Sequence, residues 1–230
     1  MKPAIELTSK CNLNCQMCPF RKDGGFKDFG EMDWSLFTKL VDELAPYSED
    51  IMLFNRGEPF LHPKIYEAIE YVGKKTRAII STNGVLIDPD KFYKTKGQKL
   101  LVVSLPAGDE KTYRKITGSN SFRKVRENIV RLQLQKDDQT EMYVKIVRQP
   151  ENEGHEEKLK EFCDMVVVVD DSNQDKGYTT CSQPDITPVY RYDGRKVVCC
   201  RDIDGTYEYN KYKDAANNRT LPICRGCGIQ

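Results

Sequence analysis

Six short runs rich in apolar and β-branched residues (4–7, 51–55, 77–81, 100–104, 142–147 and 165–169) alternate with stretches of helical spacing through the first 170 residues of a 230-residue chain. This alternation constrains the fold more than any other feature. Runs of about five such residues suit strands of a parallel sheet buried on both faces. Between them, Asp33 is placed to cap a helix whose stripe is Trp34, Phe37, Val41 and Leu44. Pro63 opens the next, with Ile65, Ile69 and Val72 on one face. A third is expected over 89–96, stopped by Gly97, and a fourth carries Phe122, Val125, Ile129 and Leu132. A fifth is expected over 153–163.

Six strands with five intervening helices predict an α/β fold: parallel strands with right-handed crossovers, an open sheet curled into a partial (β/α)6 barrel. Ligands of such sheets sit outside the carboxyl ends of the strands, so residues just after each strand carry the function. After Asp170 the texture becomes polar, and a hairpin is expected over 189–199 around Asp193-Gly194. The expected division is a core of residues 1–170 and a small cysteine-rich domain of residues 171–230.

Charge and hydropathy narrow the function classes. Lys plus Arg is 36 and Asp plus Glu is 35, so the net charge of +1 leaves no basic footprint for nucleic acid or an anionic membrane. Mean hydropathy is −0.63, and no apolar run reaches the roughly 18 residues of a membrane span. The first residues lack the apolar segment of a secretory signal, so a cytoplasmic, reducing compartment is expected. Nine cysteines stand out against that background: 11, 15, 18, 163, 181, 199, 200, 224 and 227. In a reducing compartment clustered thiols read as metal ligands.

Cys11, Cys15 and Cys18 have the spacing C-x3-C-x2-C and begin four residues after the first expected strand. Three thiolates from one loop can hold three corners of a 4Fe–4S cube and leave one iron open; a zinc site would need a fourth ligand. The run resembles the cluster loop of the radical S-adenosylmethionine (SAM) superfamily, including the Pro19 that follows its last cysteine. Met17 stands where an aromatic is usual. Arg56-Gly57-Glu58-Pro59, after the second strand, resembles the superfamily's Gly-Gly-Glu-Pro segment, with Arg56 in place of the first glycine. Ser81-Thr82-Asn83-Gly84, after the third strand, resembles the segment that approaches the cofactor's ribose and carboxylate. Ser104 ends the fourth strand where a Ser-x-Asp-Gly segment is frequent; here Pro106 replaces the Asp. The resemblance thus implies Gly57, Glu58, Pro59, Ser81, Thr82, Asn83 and Ser104 as contacts for SAM. Arg56, Tyr113, Arg148 and Glu153 are further candidates for substrate or cofactor contacts.

The second group is Cys181, then Gly194, then Cys199, with Cys224 and Cys227 returning as a chelating pair. This arrangement resembles the auxiliary-cluster domain called SPASM, or its shortened twitch form. Cys181, Cys199, Cys224 and Cys227 would close all four corners of a second 4Fe–4S cube, near the functional end of the sheet. A four-thiolate zinc site has the same spacing, and Cys200 competes with Cys199 for one position. Cys163 reads as a small buried residue.

What the resemblance implies is reductive cleavage of SAM to a 5′-deoxyadenosyl radical, with an external electron donor such as flavodoxin or ferredoxin. One auxiliary cluster, fully ligated, suits acceptance of an electron from the substrate radical, hence net two-electron oxidation of a small molecule. Compact twitch-domain dehydrogenases are the nearest pattern. A peptide-modifying maturase is the alternative, and an iron–sulfur electron carrier or a zinc-binding interaction module the alternative of another class. The charged residues single out no catalytic acid or base.

Overall fold

The computed structural model describes residues 1–18, 29–169, 187–199, 209–218, 221 and 224. Among the described residues eight strands form one sheet in the order β6-β5-β4-β3-β2-β1-β7-β8. They are β1 Ala4–Ile5, β2 Asp50–Met52, β3 Arg77–Thr82, β4 Lys99–Ser104, β5 Thr140–Val147, β6 Val166–Val169, β7 Val189–Tyr190 and β8 Lys196–Val197. Strands β1 to β6 are parallel throughout, as expected of a partial barrel of βα units.

The helices are α1 Trp34–Leu44, α2 Ile65–Gly73, α3 Pro89–Lys94, α4 Glu110–Thr117, α5 Phe122–Leu134, α6 His155–Lys160 and α7 Tyr209–Asn217. Asp33 caps α1 as expected, its carboxylate accepting from the Ser35 and Leu36 amides. Helix α2 begins two residues after Pro63, because a 3-10 turn over Pro59–Leu61 occupies the approach. Helix α3 ends at Lys94, earlier than expected. The fifth expected helix is broken by Gly154 at φ +73°, which separates a 3-10 turn over Pro150–Asn152 from α6. Helix α4 was not expected, so two helices, not one, connect β4 to β5.

The main core lies between the sheet and its helices: Ile5, Leu7, Ile51, Leu53, Ala78, Ile80, Leu101, Val103, Val144 and Ile146 pack there. Alternate residues point to the inner, concave side. That side is half-buried rather than fully buried, as Ile79 and Ser81 show, so these strands bury one face completely and line a cleft with the other. Its small apolar floor is Ala4, Val189 and Val197.

The 189–199 hairpin forms and extends the main sheet: β7 lies parallel beside β1, and β8 returns antiparallel. The chain therefore leaves β8 at the N-terminal end of β1. This corrects the expected location of Cys199 at the functional end, and the antiparallel return of β8 is the reason. No described helix is long and apolar enough to cross a membrane.

Candidate functional site

The loop that carries Cys11, Cys15 and Cys18 is held by its backbone. The Gln16 amide donates to Ile116 O (2.9 Å) and the Asn14 amide to Thr117 O (3.3 Å), which pins the loop to the end of α4. The Cys18 amide closes a turn onto Cys15 O (3.1 Å). Leu13 is buried beneath it, and all three cysteines are half-exposed. Asn83 Nδ2 donates to Asn12 Oδ1 (2.8 Å), and Gln149 Nε2 contacts Met17 Sδ (2.8 Å). The loop thus spans the carboxyl ends of β3 and β5. Among the described residues no three metal-ligating side chains converge on one point.

Gly57 and Glu58 support this loop from β2. A Cβ on Gly57 would lie 2.2 Å from Thr8 O and 2.6 Å from Lys10 O, so only glycine lets these two backbones touch. The Glu58 amide donates to Lys10 O (2.8 Å), one residue before Cys11. Gly57→Ala is expected to cost roughly 1–3 kcal/mol, the scale of overpacking, and to push the loop away from β2. Urea unfolding of the metal-free protein measures this, and an unchanged midpoint would count against the close approach.

The Glu58 carboxylate is buried and fully engaged. It accepts from Thr82 Oγ1 (2.6 Å), the Asn83 amide (2.7 Å) and the Phe60 amide (3.2 Å). Burial raises its pKa to about 7 against the opposing pull of these donors. Thr82 is itself buried, and its hydroxyl also accepts from the Gly84 amide (3.1 Å). Glu58 and Thr82 therefore shape the loops after β2 and β3 from within, and Pro59 opens the buried 3-10 turn. Ser81 and Ser104 reach the inner side, their hydroxyls 3.5 Å apart.

Arg56 turns inward to Glu6: Nε and Nη2 meet the two carboxylate oxygens at 2.7 and 2.6 Å, with both side chains almost wholly buried. Tyr113 is 1% exposed, with its hydroxyl buried close to the Thr117 side chain. Burial first, then the charges of Cys15, Cys11 and Glu58, push its pKa up to about 12. Arg148 and Glu153 are exposed beyond β5.

In the C-terminal part, Cys199 and Cys224 are half-exposed. Val198, beside Cys199, packs with Ala216 and Leu221, and Cys224 joins the same apolar group. Cys181, Cys200 and Cys227 lie outside the described residues. Cys163 is buried in the core, and burial pushes its thiol up to about 12, as suits a packing residue. Asn12 and Gln149, which brace the cysteine loop, were not singled out from the sequence. No local pattern marks them, because their partners lie 71 and 132 residues away.

A family model described as the radical SAM superfamily matches residues 5–163. The chain belongs to this superfamily. Membership implies a 4Fe–4S cluster and SAM as cofactors. The tungsten-containing aldehyde ferredoxin oxidoreductase cofactor-modifying protein of Pyrococcus furiosus is 38% identical over 86 residues, 36% of this chain and 24% of that protein. The chain thus spans about a quarter of that relative's length. BtrN in complex with AdoMet and 2-DOIA superposes with a TM-score of 0.63 at 18% identity, over 98% of this chain and 92% of that one. SuiB of Streptococcus suis bound to S-adenosylmethionine superposes with a TM-score of 0.71 at 14% identity, over 99% of this chain and 70% of that one. These two show a shared fold. The residues around the cysteine loop suit an iron–sulfur group: three half-exposed thiols on a loop braced by backbone hydrogen bonds to α4 and to the Glu58 amide.

Proposed function

We propose that this radical SAM protein carries out a net two-electron oxidation, with Cys11, Cys15 and Cys18 holding the SAM-binding 4Fe–4S cluster. Cys181, Cys199, Cys224 and Cys227 hold an auxiliary 4Fe–4S cluster in a twitch-like segment. The observation that carries this reading is the superposition on BtrN over nearly the full length of both chains, joined to the placing of Cys224 against the apolar group that contains Val198, the residue next to Cys199. When bound, the cluster and SAM supply a 5′-deoxyadenosyl radical for hydrogen abstraction, and that chemistry is the cofactors' own.

The chain's residues position and enclose. Gly57 and the Glu58 amide hold the cysteine loop against β2, and Asn83 ties it to β3 through Asn12. Tyr113, buried on α4, lies within electrostatic reach of Cys15 and Cys11 and helps close the site from beneath. Ser81 and Ser104 present hydroxyls to the inner side, where SAM and substrate meet. The substrate lies on that inner side, between the cysteine loop at the carboxyl ends of the strands and Cys199 at the other end. Cys199 and its partners would then hold an electron acceptor on the side of the substrate opposite the cysteine loop. A protein-based donor such as flavodoxin or ferredoxin supplies the first electron.

Anaerobically reconstituted protein is expected to hold about eight irons and to release 5′-deoxyadenosine slowly from SAM under strong reductant. About four irons with one zinc would remove the auxiliary cluster, and no 5′-deoxyadenosine would remove the SAM chemistry. A peptide substrate stays the second reading, because SuiB is also known bound to its precursor peptide SuiA. Anaerobic turnover with metabolite and peptide libraries, read by mass spectrometry, decides between them.

A further inference from the structure

The inner side of the sheet carries several charges, and they are paired. Near the N-terminal ends of the strands Arg77 meets Asp50 at 2.6 Å and Glu141 at 3.0 Å. Near the carboxyl ends of β1 and β2, Arg56 holds Glu6. Lys145 is different. It lies on β5 between Val144 and Ile146, each 1% exposed under the helices, so its side chain points to the inner side. It is half-buried, flanked in register by Ser104 on β4 and Val167 on β6. Among the described residues its ammonium has no hydrogen bond or ion pair.

A second withdrawn lysine shows what a structural role looks like. Lys99 is buried on the helix face, donates to Thr95 O at 3.0 Å and sits 5.7 Å over the Phe92 ring. Lys145 has none of this, and burial lowers its pKa because nothing offsets the lost hydration. An unpaired, partly desolvated cation is costly to keep, and such groups concentrate where a ligand completes them. Here the completing group must be an anion, and the neighbouring Ser104 hydroxyl is placed to help hold it.

We infer that Lys145 anchors an anionic oxygen group, a carboxylate or phosphate, on the molecule oxidised within the cleft. This rests on the functional reading above, in which SAM would be held at the cysteine loop through the iron that Cys11, Cys15 and Cys18 leave open. The anion left for Lys145 therefore belongs to the second substrate. The substrate class is narrowed to acids and phosphate esters, or to peptides with an acidic group near the modified residue.

Reductive 13C-methylation of the oxidised holoenzyme turns each lysine into an NMR reporter, and the Lys145 signal is assigned by its loss in Lys145→Arg. Its titration is followed in the enzyme alone, with saturating SAM, and with SAM plus inorganic phosphate as the probe. The other titratable groups on this side, Tyr143, Glu141 with Arg77 and Asp50, and the Glu6–Arg56 pair, are the same in all three arms. With SAM alone the Lys145 signal is expected to titrate below the ordinary lysine range, with the signals of exposed Lys91 and Lys94 as surface references. Added phosphate is expected to raise it by about one unit or more and leave those two unmoved. A rise on SAM alone would assign the anion to the cofactor and overturn the inference, and no response to phosphate would remove the anion site. 5′-Deoxyadenosine release from the same preparation tests the functional reading separately. A phosphate response without that product leaves Lys145 an anion anchor in a protein of other chemistry.

Discussion

Replacing Cys11, Cys15 and Cys18 together by alanine is expected to abolish 5′-deoxyadenosine formation while leaving the fold in place. The three side chains are half-exposed, in contrast to Cys163 in the core, so their removal opens no cavity. The backbone hydrogen bonds that brace the loop are untouched by the substitution. The Gln16 and Asn14 amides still reach α4, the Glu58 amide still reaches Lys10 O, and Leu13 stays buried. The metal-free variant should therefore unfold within about 1 kcal/mol of the metal-free parent, as surface substitutions do. Reconstituted iron should fall by about four per chain, the content of one cube. Residual SAM cleavage would place the cofactor's iron elsewhere. A large drop in metal-free stability would instead show that the thiols pack within the loop, and loss of activity would then say little about ligation.

How far the sequence foretold this arrangement depends on how local each cause is. Helix α1 was legible because its cap, Asp33, and its stripe of Trp34, Phe37, Val41 and Leu44 lie within one short segment. Helix α4 was not, because six of its eight residues are polar or charged and only Tyr113 and Ile116 read as apolar. Its ends were marked, by Asp109 accepting from the Thr112 amide and by Gly118 at φ +70°, but two such marks without a stripe do not distinguish a helix from a loop. The 189–199 hairpin was visible in Asp193-Gly194, yet its pairing with β1 involves residues some 185 positions apart and leaves no local trace.

At the site the same rule holds. The spacing of Cys11, Cys15 and Cys18 announced a metal-binding loop, and the segments after β2, β3 and β4 were marked by their order. The division of labour within those segments was not legible. Thr82 and Glu58 were expected as cofactor contacts, and the fold engages both with each other. Gly57 was expected as a cofactor contact, and the fold adds a second demand on it, the close approach of the Thr8 and Lys10 backbone. These assignments depend on which loop lies under which, a matter of tertiary packing. Lys145, in the middle of an ordinary-looking strand, drew no notice because an unpaired lysine and a surface lysine are the same letter.

Arg56→Met is expected to destabilise the protein by roughly 3–5 kcal/mol, the cost of removing one partner of a buried ion pair. Glu6 is 0% exposed and would keep only Asn55 Nδ2, at 3.0 Å, in place of a guanidinium that meets both carboxylate oxygens. Water cannot reach the carboxylate to compensate, so the loss is a desolvated charge and not merely two missing hydrogen bonds. The double variant Glu6→Leu plus Arg56→Met should recover most of that loss, because two apolar groups of similar size need no partner. Urea unfolding of the two single variants and the double gives the coupling directly. An Arg56→Met variant within 1 kcal/mol of the parent would show that Glu6 does not depend on the guanidinium. The pair also explains how arginine is tolerated where the resembled segment has glycine. Arg56 folds back into β1 and leaves to Gly57 the close approach that the cysteine loop requires. Glu6 lies five residues before Cys11 and Arg56 one before Gly57, so the pair fastens the strand that launches the loop to the segment that supports it. A chain that changed Arg56 to the usual glycine without also changing Glu6 would therefore lose stability, not gain it.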